Sequence, residues 1–192
     1  MKLKNFAIGL SLLTISGLVS AEMVSYKIDP THTATVFTWN HLGFSTPSAN
    51  FSDIQGTIQV DNDHPEKSSV TVTIPVKSLN TNVPVLDTKL QESDWFNTAK
   101  YPDIRFQSTK VETTDKKTFK ISGNLTVKGI TKPVVLDAVL NNQAQHPMLK
   151  VPAIGFNAST TIKRSDFDIA AYVPAVSDTI DIQITTEALA VK

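Results

Sequence analysis

Apolar and polar residues alternate along most of the chain after residue 21. In 70–76, for example, Val70, Val72 and Ile74 alternate with serine and threonine, as in a strand with one buried and one exposed face. Eight segments of this kind follow one another. They are residues 33–41, 51–60, 70–76, 104–109, 119–127, 133–140, 154–162 and 180–185. Residues 26–29 form a short extended lead-in to the first of them.

Between the third and fourth strands, in 78–108, the hydrophobic period changes. Leu86 and Leu90 are four residues apart, the spacing of one helix face, and Pro84 lies near the start of the run. Pro102 ends the helical region, because proline drives the preceding residue toward an extended conformation. The sequence therefore predicts one short helical insert.

The insert carries two adjacent aromatic residues after its helix. Ser93 and Asp94 resemble a cap for a second short turn, which carries Trp95 and Phe96. A short aromatic-tipped insert among strands is expected to act as a lid or a plug.

Eight strands with one apolar face each must bury those faces against one another. A single sheet of this size either curls into a closed barrel or folds back as a sandwich. Strands joined in sequence by short polar loops favour the antiparallel up-and-down barrel, and the sandwich is the alternative. An eight-stranded barrel has room inside for side chains or for one small ligand.

The first 21 residues have the pattern of a secretory signal peptide. Lys2 and Lys4 precede an apolar run over 6–19, and Ala21 ends a small-residue cleavage pattern. A membrane anchor is the alternative, although the run falls short of the ~20 apolar residues that a spanning helix needs. Residues 22–192 are then one domain. The absence of cysteine excludes a disulfide framework and a lipid-modified N-terminal cysteine.

The charge balance indicates no polyanionic partner. The whole chain has 18 basic and 18 acidic residues, and removal of the first 21 residues leaves 16 basic and 18 acidic. A nearly neutral domain has no electrostatic footprint for nucleic acid. It also lacks a basic amphipathic helix, and no stable membrane insertion is expected after signal cleavage.

Enzymatic and metal chemistry have little support in the sequence. The four histidines are scattered, and no HxH, HExxH or GxSxG pattern occurs. His32 and His41 flank the first long strand and would lie roughly 30 Å apart if it were regular. Asp166 and Asp168 could form a carboxylate pair, but their acidic loop favours solvated or turn-capping roles. We therefore predict no catalytic residue, no metal and no cofactor.

Aromatic residues on the apolar strand faces have two interpretations. They form an ordinary core, or they line an apolar pocket, which uses the same residue types with a few polar groups at its mouth. The chain has only two arginines, Arg105 and Arg164. Each could meet an anionic head group or pair with a neighbouring aspartate, Asp103 or Asp166.

Seven stretches, in order along the chain, resemble the YceI-like family of bacterial periplasmic proteins. They are Tyr26–Asp29 with His32; Phe37 with His41–Gly43; Ser78–Thr81; Leu90–Asn97; Lys100–Pro102 with Phe106 and Ser108–Thr109; Gly123–Val134; and Arg164–Phe167. The resemblance covers about residues 26–189. It implies a lipocalin-like, eight-stranded antiparallel barrel with a long pocket for isoprenoid chains or similar amphiphiles. It also implies a periplasmic location and no enzymatic activity for the family as a class.

The chain departs from the family pattern at two places. The family usually has Arg-Asp-x-His-Leu entering the insert, whereas this chain has Leu86-Asp87-Thr88-Lys89-Leu90. A head-group role for that arginine or histidine therefore does not carry over. Asp168 also stands where the family commonly has glycine.

With the resemblance, the pattern predicts a periplasmic carrier that holds a long isoprenoid or fatty chain in its barrel. The residues expected to line its apolar pocket are Phe37, Trp39, His41, Ile58, Val72, Ile74, Leu90, Trp95, Phe96, Phe106, Leu125 and Phe156. Arg105 and Arg164 are the candidate head-group contacts. Two alternatives stay open: an enzyme acting on such a lipid with His41 or His32 as general base, and a stress or interaction protein with a filled barrel. The oligomeric state is open, a homodimer included.

Overall fold

The computed structural model describes residues 23–191. The predicted signal peptide, residues 1–21, lies outside the described residues.

The described chain consists almost entirely of β-strands, joined by turns, four short 3₁₀ segments and one α-helix. The strands are β1 (Val24–Ile28), β2 (Ala34–Thr38), β3 (Ser48–Phe51), β4 (Gln55–Val60), β5 (Ser69–Pro75), β6 (Leu79–Asn80), β7 (Asp103–Glu112), β8 (Thr118–Val127), β9 (Ile130–Gln145), β10 (Pro152–Lys163) and β11 (Thr179–Ala190). The helix is α1 (Pro84–Leu90).

These segments form eight barrel strands, because three of the eight are interrupted. β1 and β2, β3 and β4, and β5 and β6 are each two parts of one strand, and β7 to β11 are continuous. Each strand pairs antiparallel with the next along the chain. β11 then pairs with both β1 and β2, which closes the sheet on itself. The predicted eight-stranded up-and-down barrel is confirmed, and the sandwich is excluded.

The lead-in predicted at residues 26–29 has a larger role than expected. Residues 26–28 belong to β1, which pairs with β11 on one side and β4 on the other. Tyr26 and Ile28 are almost fully buried. The segment is therefore one half of the first barrel strand, and it completes the closure.

A side-chain hydrogen bond marks the interruption between β1 and β2. Asp29 accepts hydrogen bonds from the Thr31 backbone N–H at 2.9 Å and the Thr31 hydroxyl at 2.6 Å, and its second oxygen lies 2.8 Å from His32 Nδ1. The Thr31 and His32 side-chain hydrogen bonds lower the pKa of Asp29 to about 2. The first predicted strand, 33–41, is shorter in the structure. It spans Ala34–Thr38, and residues 39–41 belong to the following loop.

Two other predicted boundaries were wrong. The strand predicted at 51–60 is broken at 52–54, and β3 begins at Ser48, before the predicted start. β9 continues to Gln145, beyond the end predicted at residue 140, since the polar residues that follow still pair with β10. Polar composition is compatible with pairing at the barrel rim, where both faces meet water.

The insert lies where it was predicted, between the third and fourth barrel strands. Pro84 occupies the first turn of α1, and Leu90 is buried at its last residue. The Asp87 carboxylate accepts hydrogen bonds from the Thr81 backbone N–H and hydroxyl, both at 2.7 Å, which anchors the helix to the end of β6. Trp95 and Phe96 follow in a short turn, as predicted. The predicted cap differs, because the Trp95 N–H donates to the Glu92 carbonyl and not to the side chain of Ser93 or Asp94.

Two clusters of buried residues occupy the two ends of the barrel interior. At the end nearest α1, called the helix end, buried residues from β3, β6, β7, β8 and α1 pack with Phe167 and Ile169. At the opposite end, called the far end, Tyr26, Ile28, Ile58 and Ile154 pack together. The space between the clusters is where a cavity can form.

Gly56 lies where β4 packs closely against β5. A Cβ at Gly56 would overlap the Thr71 carbonyl oxygen, whereas a Cβ at Gly155 would come only within 3.7 Å of the Thr186 carbonyl oxygen. We expect Gly56→Ala to lower the free energy of unfolding by about 1–3 kcal/mol or more, the cost of overpacking. Gly155→Ala is the matched control and should change it by less than about 1 kcal/mol. Chemical denaturation measures both, and equal effects would contradict the prediction.

Candidate functional site

A cavity of about 740 Å³ runs through the barrel. Its wall consists mainly of the apolar side chains that alternate along every barrel strand, such as Ile180, Ile182 and Ile184 on β11. On β10 the lining positions run from Ile154 to Ile162, which is about 26 Å of strand at ~3.3 Å per residue. The inward faces are those that the alternation predicted.

All twelve residues predicted for the apolar pocket line this cavity. They are Phe37, Trp39, His41, Ile58, Val72, Ile74, Leu90, Trp95, Phe96, Phe106, Leu125 and Phe156. That any of them contacts a ligand stays a prediction.

Aromatic side chains are concentrated at the helix end of the cavity. Phe37 stacks on Phe51 with ring centres 5.5 Å apart, and Phe51 meets Phe96 edge to face at 5.9 Å. At the far end, Phe119 and Phe156 form one edge-to-face pair at 6.0 Å. Such pairs hold rings in defined orientations and give the cavity a rigid wall at each end.

Arg164 lies in the wall at the helix end, with 7% of its surface exposed. Its three guanidinium nitrogens donate hydrogen bonds to the carbonyls of Ser177, Ile169 and Val176, at 2.9, 2.7 and 3.0 Å. The guanidinium also lies 5.8 Å from the centre of the Trp95 ring. Burial lowers the pKa of Arg164, and the Asp178 carboxylate opposes that shift. Arg164 therefore ties segment 164–178 to the insert.

Arg105 is not part of the cavity, which corrects the prediction that it contacts a head group there. Its side chain projects from the outer face of β7, 68% exposed, and pairs with Asp103 at 3.3 Å. Because Ile104 and Phe106 point inward, the residue between them must point outward.

His32 is likewise outside the cavity, so its proposed role as a general base toward the cavity is wrong. It is exposed and lies beside Asp29. His41 lines the mouth of the cavity, where its backbone bridges to Ser45 and Val176. Within residues 23–191, no group of three or more His, Asp or Glu side chains could hold a metal ion.

The cavity reaches the surface at the helix end, through what we call the portal. The portal is defined by four exposed residues that also line the cavity: His41, Val83, Lys89 and Tyr172. Tyr172 lies against Trp95, with ring centres 6.2 Å apart. The portal thus lies between the loop after β2, the start of α1 and segment 170–176.

Hydrogen bonds cross the far end. The Gln143 amide on β9 donates to Asn62 Oδ1 at 2.9 Å, and Lys116 Nζ donates to the Asn62 carbonyl at 2.9 Å. Asn62 follows β4, which is not adjacent to β9 in the barrel. These bonds therefore bridge the opening, and the portal is the less obstructed route.

The sequence interpretation missed the contribution of segment 164–176 to the site. Phe167 and Ile169 are 2% and 5% exposed, and Tyr172 forms one side of the portal. The apolar composition of this long connection was the signal that could have identified it, because solvated loops rarely carry so many apolar residues.

Lys128 and Asp168 explain the departure from glycine at position 168. Asp168 has a φ of 57°, in the left-handed region that glycine adopts readily. Lys128 Nζ donates to the Asp168 carbonyl at 2.6 Å and lies 3.0 Å from its carboxylate. The carboxylate therefore adds a contact that glycine would lack, at a position where aspartate tolerates this backbone conformation.

Taken together, these features define a closed eight-stranded antiparallel barrel with one short helix and an apolar internal cavity. A family model described as the YceI-like domain matches residues 26–188, and the chain belongs to the YceI-like family.

Relatives and solved structures agree with this assignment. A UPF0312 protein from Pseudomonas syringae pv. tomato is 36% identical over 181 residues, which is 94% of this chain and 93% of the relative. The crystal structure of the Campylobacter jejuni YCEI protein matches with a TM-score of 0.72 and 35% identity, over 80% of this chain and 90% of that chain.

A second solved structure shares the fold at low sequence identity. It is described as a polyisoprenoid binding domain from Saccharophagus degradans, with a TM-score of 0.68, 14% identity, and coverage of 88% of this chain and 99% of that chain. None of the helices within residues 23–191 has the length and hydrophobicity needed to cross a membrane.

The two arginines provide a matched test of the helix end. In Arg164→Lys, a single ammonium group replaces the three guanidinium nitrogens that now donate hydrogen bonds to three carbonyls. We expect it to lower the free energy of unfolding by about 2–3 kcal/mol, since hydrogen bonds from charged groups are worth ~1.5–3 kcal/mol each. Arg105→Lys at the exposed ion pair should change it by less than about 1 kcal/mol. Thermal and chemical denaturation measure both, and a harmless Arg164→Lys would contradict this role.

Proposed function

We propose that this protein is a periplasmic binding protein that carries a single long-chain isoprenoid, or a similar amphiphile, in its barrel. The observation that carries the proposal is the cavity: it is long, narrow and lined mainly by apolar side chains from all eight barrel strands. The fold shared with a protein described as a polyisoprenoid binding domain supports the isoprenoid class. The signal-peptide pattern of residues 1–21 supports export.

The shape of the cavity favours a chain over a compact ligand. Lining residues extend from Trp95 at the helix end to Phe119 and Phe156 at the far end. A flexible apolar chain can follow such a channel and bury most of its surface, at about 25 cal/mol per Å² before ordering costs. Binding would therefore depend on chain length more than on specific hydrogen bonds.

The two ends of the cavity give the bound lipid a direction. Exposed His41, Lys89 and Tyr172 surround the portal, whereas polar side chains at the far end are hydrogen-bonded across the opening, as Gln143 is to Asn62, with Phe119 and Phe156 nearby in the wall. A head group at the portal stays hydrated, and the chain end lies against the far aromatic pair. Arg164 is the remaining arginine candidate for a head-group contact, although three of its five N–H donors already serve backbone carbonyls.

The arrangement favours binding over catalysis. His41 is the histidine at the cavity mouth, and its backbone bridges to Ser45 and Val176. A general base needs a proton donor or nucleophile of the substrate within hydrogen-bond reach and an activating partner. The site is instead an apolar cavity whose opening is exposed to solvent.

Native mass spectrometry of the protein purified from its own host, after mild extraction, tests the function directly. We expect a co-purifying lipid with a long isoprenoid or fatty chain, at one molecule per protein. Titration of delipidated protein with isoprenoids of increasing chain length should show affinity rising with length. Protein that carries no lipid and takes up neither isoprenoids nor fatty acids would contradict the proposal.

Trp95→Ala tests whether the insert closes a binding cavity or is ordinary core. Trp95 is partly exposed and lines the cavity, so its removal should weaken chain binding about tenfold or more while costing less in folding. Leu79→Ala is the matched control at the same end, because Leu79 belongs to the same buried cluster but does not line the cavity. Leu79 is 5% exposed, and its loss should cost about 2–5 kcal/mol of stability.

Ligand titrations and thermal melts on both variants give the comparison. Losses of binding and stability that are equal in Trp95→Ala and Leu79→Ala would show that the insert is ordinary core.

A further inference from the structure

Exposed apolar side chains surround the portal. Three segments meet there: 40–46 after β2, 82–86 at the start of α1, and 170–176 before β11. Six of their residues are large, apolar and exposed, and we call this set the rim. The rim consists of Leu42, Phe44, Val83, Val85, Tyr172 and Val173.

The rim is continuous in space. The Leu42 backbone N–H donates to the Ala175 carbonyl at 3.1 Å, which joins the first and third segments. Tyr172 and Val83 both line the portal, which joins the second segment to the others. Phe44, 91% exposed, and Val85, 77% exposed, project furthest into solvent. An exposed apolar patch of this kind marks an interaction surface.

The rim segments contain no charged residue. Neither aspartate, glutamate, lysine nor arginine occurs in 40–46, 82–86 or 170–176. Around them, Lys89 is paired with Glu92 at 2.7 Å, and the Asp87 carboxylate is turned toward Thr81. A protein–protein interface usually surrounds its apolar core with a border of polar groups that are free to pair with the partner, whereas the charged side chains beside these segments are already engaged within the chain. A neutral surface with Tyr172 and Trp95 at its inner edge fits the boundary layer of a bilayer, where such rings collect.

We propose that the rim docks the protein on the surface of a neutral lipid bilayer, with the portal facing the lipids. The proposal rests on the lipid-binding function proposed above. A long-chain lipid that moves between bilayer and cavity through water would expose its whole chain, at a large free-energy cost. When the portal lies against the bilayer, the lipid chain can pass between bilayer and cavity without contact with water, because the rim residues exclude water from the route. The docking is peripheral and driven by apolar burial, so it needs neither a basic patch nor a spanning helix.

The test uses phosphatidylcholine vesicles and flotation of the full mature protein. The variant Phe44→Ser with Val85→Ser removes the two most exposed rim side chains. The matched control, Met148→Ser with Leu149→Ser, removes two exposed apolar residues from the hairpin at the far end, where Met148 is 80% exposed. All four side chains are exposed, so thermal melts should show both variants folded like the parent.

We expect the parent and the far-end variant to float with the vesicles, and the rim variant to bind about a hundredfold more weakly, since each of its two lost apolar side chains contributes about a tenfold factor when buried. Binding should change less than about twofold between low and high salt, because no charge pairing is involved.

Three results would overturn docking: a parent protein that does not float, a far-end variant that loses as much as the rim variant, or a rim variant that loses nothing. Sedimentation of the parent shows whether a second copy covers the rim. A dimer that the rim variant breaks, with no flotation, would replace the bilayer with a protein partner.

Native mass spectrometry on the same samples separates this proposal from the function on which it rests. Lipid in the cavity without flotation overturns docking alone. Flotation with a cavity that takes up no lipid overturns the proposed function and leaves the docking surface standing.

Discussion

An apolar interior that its own side chains do not fill is the constraint on which the rest of this structure depends. Each strand turns its aliphatic side chains inward, and closure of the sheet gives all of them the same enclosed space. Packed proteins leave few voids larger than a water molecule, whereas this interior leaves a cavity of about 740 Å³. A ligand chain in the cavity would supply dispersion contacts that the side chains of the wall do not make with one another. The stability of the barrel and the affinity of the site are therefore linked.

The two ends close this interior by different physical means. At the far end, polar side chains around Asn62 bridge the opening while remaining hydrated. At the helix end, closure is apolar and depends on Leu90, Trp95 and Phe96, with Arg164 holding segment 164–178 behind them. Hydrogen bonds hold the non-adjacent strands at the far end at a fixed distance. Apolar side chains at the helix end have no directional bonds to break and can repack around a bound lipid chain. This asymmetry explains why the portal and the rim share one end.

Much of the fold was predictable because strand alternation is local. The period of two alone predicts that Phe106 and Leu125 point inward. It also predicts that Arg105 points outward, although its positive charge had suggested a head-group contact. The interruption at Asp29 was not predictable from alternation, because the apolar pattern resumes beyond it. The buried position of Arg164 depends on how the loop that follows it folds back, because the carbonyls of Ile169, Val176 and Ser177 surround its guanidinium. The role of β1 depends on pairing with β11, about 160 residues away. Non-local contacts of this kind have no local signature.

The pairing of β1 with β11 also orders events in time. The cavity has no complete wall until the first and last barrel strands pair, because β11 closes the sheet against β1 and β2. Synthesis from the N-terminus produces β1 long before β11 exists, so until then the edge of β1 opposite β4 has no partner strand. The interval between those two strands is the period in which the nascent chain most needs protection from aggregation. The cavity is thus complete only when the two ends of the domain have paired.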